Sequence, residues 1–316
     1  MSKFSLAIHG GCGVMAKLDL SEAEWVAARE DLGRALVAGH AILASGGSAL
    51  DAVQAAVVVM EDSPHFNAGH GAALNENGIH ELDASIMDGA TLEAGAVSAA
   101  RHLKNPIKVA RAVMAHGDAV LLTGAAADAF AEKNGLDTAP QSYFTTERRL
   151  ASLAAMKAHA AAGTQAAARE SEKHGTVGAV ALDQAGHLAA ATSTGGYNNK
   201  PDGRVGDSPI IGAGTYAKDG LCAVSGTGKG EFFIRHVVGH EIASRIAYLG
   251  ESVDQAASKV VMEDLKPYNI GAGLVAVGAD GSVSAPYNTD GMFRGWVVDG
   301  RFFVASHHEV FEYHPK

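Results

Sequence analysis

From residue 140 to residue 174 the chain loses its branched apolar residues and runs on Gln, Ser, Thr, Lys, Glu and many Ala; directly afterwards Gly175 leads into a strand pattern, Thr176–Leu182. Neither side of this break shows a regular strand–helix alternation. That order favours an α+β fold of packed layers over a doubly wound parallel sheet. The Ala-rich stretch itself reads either as an exposed helix or as a helix running into a mobile tail just before position 175.

Upstream, Phe4–Ile8 alternates and ends in Gly10-Gly11, which predicts a strand and a turn. Ser21-Glu22-Ala23-Glu24 predicts a capped helix running to Gly46-Gly47, and Ser48 caps a second one to about Met60. Ser63 to Gly78 is a structured loop. Strands are expected near Glu81–Met87 and Leu92–Val97, then helices over 105–135 around a short strand, Ala119–Leu122. Downstream, His187–Ser193 follows Thr176–Leu182 across a hairpin signal. Helices are predicted at Glu231–Leu249 and Val253–Met262, and closing strands at Leu274–Val277, Val283–Ala285, Gly295–Val298 and Phe302–Ala305.

The 316 residues carry a net charge of −10, which disfavours nucleic acid and anionic membranes as partners. Cys12 and Cys222 are the two cysteines, too few for a disulfide framework, and their spacing fits no zinc module. No segment reaches the roughly 18 apolar residues of a membrane helix, and the first apolar run is too short for a signal-peptide core. Together these predict a cytoplasmic protein. The 15 histidines show no His-Glu-x-x-His spacing, which argues against a catalytic metal.

Four short segments concentrate chemistry: His174-Gly175-Thr176-Val177-Gly178, Thr192-Ser193-Thr194-Gly195-Gly196, Gly203-Arg204-Val205-Gly206-Asp207-Ser208-Pro209 and Ser225-Gly226-Thr227-Gly228-Lys229-Gly230-Glu231, the last read as opening a helix. Each alone has a plain account as a polar turn. The last is no phosphate loop, because Gly228-Lys229 is followed by Gly230 rather than Ser or Thr.

As an ordered set, with His9-Gly10-Gly11, Phe66-Asn67-Ala68-Gly69-His70-Gly71 and Glu81–Gly89, these segments resemble the plant-type asparaginase / isoaspartyl peptidase family of N-terminal-nucleophile hydrolases. The resemblance spans most of the chain. It implies a four-layer αββα sandwich acting as one unit over 1–316. It also implies self-cleavage between Gly175 and Thr176 into an α chain (1–175) and a β chain (176–316), assembled as an (αβ)₂ heterotetramer.

The resemblance further implies the roles. Thr176 is the nucleophile, and its freed α-amine, titrating near about 7.7–8.0, is its own base. Thr194 tunes it. The Thr227 hydroxyl and Gly228 N–H stabilise the oxyanion. Arg204 grips the substrate α-carboxylate and Asp207 its α-ammonium. Asn67 and the carboxylates near Asp83 serve either substrate contact or structure. The substrates are β-aspartyl dipeptides and L-asparagine, small molecules both. The chemistry needs no organic cofactor; a structural sodium ion is expected on backbone carbonyls of Met60, Glu61, Ser63, Phe66, Ala68 and His70. Lys229 and His70 depart from the family pattern. The enzymatic rival is a glycosylasparaginase-like amidase, and the remoter one a non-enzymatic small-molecule or metal-binding protein.

Overall fold

A computed structural model describes residues 4–13, 20–164 and 175–315. The strands are β1 (Ser5–Cys12), β2 (Leu82–Asp88), β3 (Ala94–Ala100), β4 (Leu121–Thr123), β5 (Val177–Leu182), β6 (Leu188–Thr194), β7 (Thr215–Lys218), β8 (Cys222–Gly228), β9 (Ala272–Gly278), β10 (Val283–Ser284), β11 (Met292–Val298), β12 (Arg301–Ala305) and β13 (Val310–Tyr313). The principal helices are α1 (Glu22–Ala44), α2 (Ala49–Glu61), α3 (Pro106–His116), α4 (Ala125–Lys133), the single turn α5 (Gln141–Phe144), α6 (Glu147–Ala161), α7 (Gly230–His236), α8 (Val238–Leu249) and α9 (Val253–Lys259). No helix among the described residues is long and apolar enough to cross a membrane.

The strands form two sheets. The larger runs β13-β12-β11-β1-β5-β6-β2-β3-β4 and the smaller β10-β9-β8-β7. All pairings are antiparallel except β3 with β4. Alternation along each strand sorts the side chains. Leu6 and Ile8 of β1, with Val177, Ala179 and Ala181 of β5, join Leu36, Val53 and Val57 of α1 and α2 in one core. Ala7, Val180 and Leu182, facing the other way, join Ala223 of β8 and Val275 and Val277 of β9 in a second. On its far face the small sheet packs Val224, Leu274 and Ala276 against Val238 and Ile242 of α8 and Ala256 of α9. Both sheets are therefore buried on both faces in their centres, and this is the mixed α+β architecture the chain pattern predicts.

Local chemistry explains most element ends. Ser21 and Glu24 make a full capping box on α1, as their spacing predicts. Thr146 caps α6 within the Ala-rich stretch; the expected tail falls on 165–174, outside the described residues.

Three expectations are corrected. The first strand does not turn at Gly10-Gly11 but continues to Cys12 through a bulge between His9 and Gly11, where φ of +107° suits only glycine. The segment Ser225–Glu231 leads into a helix, which starts at Gly230, but its first residues up to Gly228 are not a helical turn: they end strand β8. The single helix expected over Glu231–Leu249 is two, separated at Val237, whose φ of +49° breaks the helical path. Strands β7, β8 and β13 lie in segments where no strand is expected from the sequence.

Candidate active site

Strand register builds the centre of the site. β5 and β6 pair with Val177 opposite Ser193, so the next residues, Thr176 and Thr194, come side by side at the end of the large sheet. The Thr176 hydroxyl donates to the Gly175 carbonyl at 2.6 Å and lies 3.1 Å from the Thr194 hydroxyl. Thr194 in turn donates to the same carbonyl at 3.0 Å and accepts Gly196 N–H at 3.0 Å. Asn67 arrives from the loop after α2. Its Nδ2 donates to the Gly175 carbonyl at 3.0 Å and to Gly196 O at 2.5 Å, and its Oδ1 accepts Ala73 N–H at 2.6 Å. The Gly175 carbonyl is thus surrounded by three donors, and Asn67 is fixed at both ends of its amide.

No acid or base touches the Thr176 hydroxyl among the described residues. The ionisable group nearest its backbone is His9, fully buried in β1. Burial pushes the His9 imidazole down to about 3, outweighing the opposing pull of its bond to Thr176 O, so it is neutral. Its Nδ1 lies 3.1 Å from Thr176 O and its Nε2 2.9 Å from Ser225 Oγ. A carbonyl only accepts, so Nδ1 carries the proton and Nε2 accepts from Ser225. From Ser225 a row of buried hydroxyls runs through Thr192 (2.6 Å), Thr215 (2.6 Å) and Ser85 (2.8 Å) to the Ser208 carbonyl (2.6 Å); since both ends accept, the four hydroxyl protons bond all but one of the contacts. It ties the nucleophile's backbone to the residue following Asp207. Gly178 makes room for it: a Cβ there would fall 1.9 Å from Ser225 Oγ and 2.5 Å from His9 Nε2.

The cleft beside Thr176 is lined by Gly175, Thr194, Gly196, Tyr197, Arg204, Gly206, Asp207, Ser208 and Gly228, and its volume is about 10 Å³. That is room for about one water. Arg204 and Asp207 meet here from the loop between β6 and β7. Asp207 Oδ2 is buried and has no hydrogen-bond partner. Burial pushes this carboxyl up to about 7, against the Arg204 charge. An orphaned acceptor that is costly to ionise alone fits an incoming ammonium. Arg204 presents Nε and Nη2 to Glu231 Oε1, each at 3.0 Å, while its guanidinium lies 4.6 Å from the Tyr197 ring centre.

The structure brings together Gly175, Thr176, Thr194, Asn67, Arg204, Asp207 and Gly228. Thr227 precedes Gly228 but does not line the cleft: its hydroxyl accepts Cys12 N–H at 3.2 Å and sits 3.8 Å from Cys12 Sγ. The sequence-based assignments did not include His9, Ser225, Tyr197 or Glu231 in the site. His9, Ser225 and Glu231 lie inside the motifs quoted above, but only pairing across the sheets shows what they touch.

The loop expected to hold sodium folds back on itself. His70 N–H donates to Glu61 O at 2.7 Å, and a Cβ on Gly69 would fall 2.4 Å from the same oxygen. The turn packs backbone carbonyls together without a cluster of ligating side chains; among the described residues there is no group of three or more His, Cys, Asp or Glu placed to hold a metal. His70 stacks on Tyr143 with ring centres 5.3 Å apart.

Comparison with known proteins agrees with this geometry. The profile of the asparaginase family matches residues 2–304. The isoaspartyl peptidase of Escherichia coli (strain K12) is 44% identical over 303 residues, covering 95% of this chain and 94% of that protein. The putative isoaspartyl peptidase/L-asparaginase of Dictyostelium discoideum is 42% identical, covering 94% of each. The mouse isoaspartyl peptidase/L-asparaginase is 43% identical, covering 94% of this chain and 88% of that protein. With a match of this extent and a threonine pair enclosed by donors at its centre, the chain is an enzyme of the asparaginase family.

Proposed function

We propose that the chain cleaves itself before Thr176 and then hydrolyses β-aspartyl dipeptides and L-asparagine to L-aspartate. The observation that carries this reading is the set of partners of the Thr176 hydroxyl among the described residues: a carbonyl to attack and a second hydroxyl, with no histidine or carboxylate on it. A Ser-His-Asp type of mechanism has no base here, whereas a threonine that becomes a chain terminus brings its own amine.

In maturation the Thr176 oxygen attacks the Gly175 carbonyl carbon. The peptide C–N bond breaks, an ester C–O bond forms, and the Thr176 nitrogen takes up the proton. Water then hydrolyses the ester, leaving a Gly175 carboxylate and a free Thr176 amine and hydroxyl. Asn67 and Thr194 stabilise the oxygen that becomes negative. Release of the Gly175 carbonyl from the cleft opens the space that substrate needs.

In turnover Arg204 takes the substrate α-carboxylate and Asp207 its α-ammonium, leaving the side-chain amide facing Thr176. Attack forms a β-aspartyl ester with loss of ammonia or of the leaving residue, and water releases aspartate. Gly228 N–H and the Thr227 hydroxyl, rotated off Cys12, are the oxyanion donors. The two helix-covered sheets support reading 1–316 as one four-layer αββα unit. The resemblance supports an (αβ)₂ assembly, and the closed 60–70 turn supports a structural sodium on the carbonyls of Met60, Glu61, Ser63, Phe66, Ala68 and His70.

The test is a denaturing gel with mass analysis of fresh and aged protein, followed by aspartate release from β-aspartyl-leucine, asparagine and glycosylasparagine. Two fragments, the second beginning at Thr176, and turnover of the first two substrates are expected. A single intact band that nonetheless hydrolyses substrate refutes the mechanism.

A further inference from the structure

Beside the cleft stands a second cation whose role the reading above leaves open. Lys229 follows Gly228 directly, so its side chain leaves the backbone beside the position assigned to the oxyanion. Lys229 N–H is fixed on Gly271 O at 3.2 Å. Its ammonium lies 4.7 Å from the centre of the Tyr197 ring, the same ring that carries the Arg204 guanidinium. Tyr197 lines the cleft, so the two cations share one aromatic wall of it.

Glu231 distinguishes the two. Its Oε1 is taken by Arg204, and its Oε2, 3.8 Å from Lys229 Nζ, is buried without a hydrogen-bond partner. The Lys229 ammonium donates no hydrogen bond among the described residues, and its side chain is 35% exposed. It is a cation on the rim, held loosely by an aromatic face and a carboxylate just out of hydrogen-bond reach, with its donors available.

The charges of the substrates decide what it meets. An aspartyl group, with one carboxylate and one ammonium, uses Arg204 and Asp207. A β-aspartyl dipeptide brings one more carboxylate, on the leaving residue, two bonds beyond the scissile nitrogen. Asparagine brings none, because it releases ammonia. Without Lys229 the extra carboxylate would approach a rim whose exposed charge is Glu231.

We propose that Lys229 is a specificity-determining residue that receives the free carboxylate of the leaving amino acid, so that the site favours β-aspartyl dipeptides ending in a free acid over their amides and over asparagine. This rests on the hydrolase reading above and deepens it.

The experiment measures kcat/KM of the cleaved enzyme for β-aspartyl-leucine, its C-terminal amide and asparagine, in the wild type, Lys229→Thr and Lys229→Arg. In the wild type the free acid exceeds the amide by about tenfold, the size of one charge-assisted hydrogen bond at a partly wet site. The difference lies in KM and shrinks as salt is added. Lys229→Thr collapses the free-acid-to-amide ratio towards one, and Lys229→Arg keeps most of it. A wild-type ratio near one, or an equal ratio in wild type and Lys229→Thr, overturns the proposal. Should Lys229→Thr fail to fold, the wild-type ratio and its salt dependence decide alone. Cleaved wild type that hydrolyses none of the three compounds overturns the parent reading instead.

Discussion

Replacing Asn67 by alanine tests the maturation chemistry where the structure is most explicit. Three donors converge on the Gly175 carbonyl: Asn67 Nδ2 at 3.0 Å, Thr194 Oγ1 at 3.0 Å and Thr176 Oγ1 at 2.6 Å. When the Thr176 oxygen becomes the attacking atom it no longer stabilises the developing oxyanion, which leaves Asn67 and Thr194. Removing one of two such donors costs about 10²–10³ in rate, or roughly 3–4 kcal/mol of barrier. Asn67 also holds Gly196 O and Ala73 N–H, so part of the loss is ground-state order. The assay follows disappearance of the intact chain on denaturing gels, with circular dichroism and Tm as controls for folding. Asn67→Ala is expected to remain folded and to split at least a hundredfold more slowly. A folded Asn67→Ala protein that matures within about threefold of the wild-type rate would falsify the assignment of Asn67 as an oxyanion donor.

Three further outcomes are expected. Asp207 is pushed up to about 7 by burial and must be ionised to hold the substrate ammonium, so below about pH 7 KM rises, in addition to the fall in kcat/KM caused by protonation of the Thr176 amine; Asp207→Asn should raise KM and remove its pH dependence while leaving the limb of the amine, and a KM profile unchanged by the substitution counts against the assignment. Thr227→Ala should lower turnover by about 10²-fold while leaving chain splitting nearly intact, because its hydroxyl lies on Cys12 rather than on the Gly175 carbonyl; equal loss in both steps contradicts this division. Gly178→Ala places a methyl group 1.9 Å from Ser225 Oγ and should destabilise by about 1–3 kcal/mol or more, read as a lower Tm; a double variant with Ser225→Gly should recover part of it, and no loss in the single variant refutes the claimed contact.

Much of the site was legible because its residues come in short motifs with distinct chemistry. Thr176, Thr194, Arg204, Asp207 and Gly228 can be picked from the chain by residue type and order, and the structure gathers them around one cleft. Thr227 was legible as a candidate but not in its orientation, since the partner of its hydroxyl, Cys12, lies in another strand 215 residues away. His9 was visible only as part of a glycine-rich strand end. Its neutral state comes from burial between the sheets, and its tautomer from Thr176 and Ser225, which reach it across a sheet and between sheets. Glu231 read as the start of a helix and turned out to share a carboxylate between Arg204 and the neighbourhood of Lys229.

The sequence by itself determined the local elements and their caps, because a capping box, a hairpin turn or an alternating strand needs only neighbours within a few residues. It also determined which chemical groups were available: a threonine behind a glycine, an arginine–aspartate pair and a surplus lysine. Tertiary structure decided where Gly226-Thr227-Gly228 goes, since a run of small residues fits a strand end or a helix start equally well until β9 pairs with it. It decided the break at Val237, where a φ of +49° splits the expected helix. Above all it decided that Thr194 stands beside Thr176 on the Gly175 carbonyl, with no base on the Thr176 hydroxyl among the described residues, a fact of register between β5 and β6 that no motif contains.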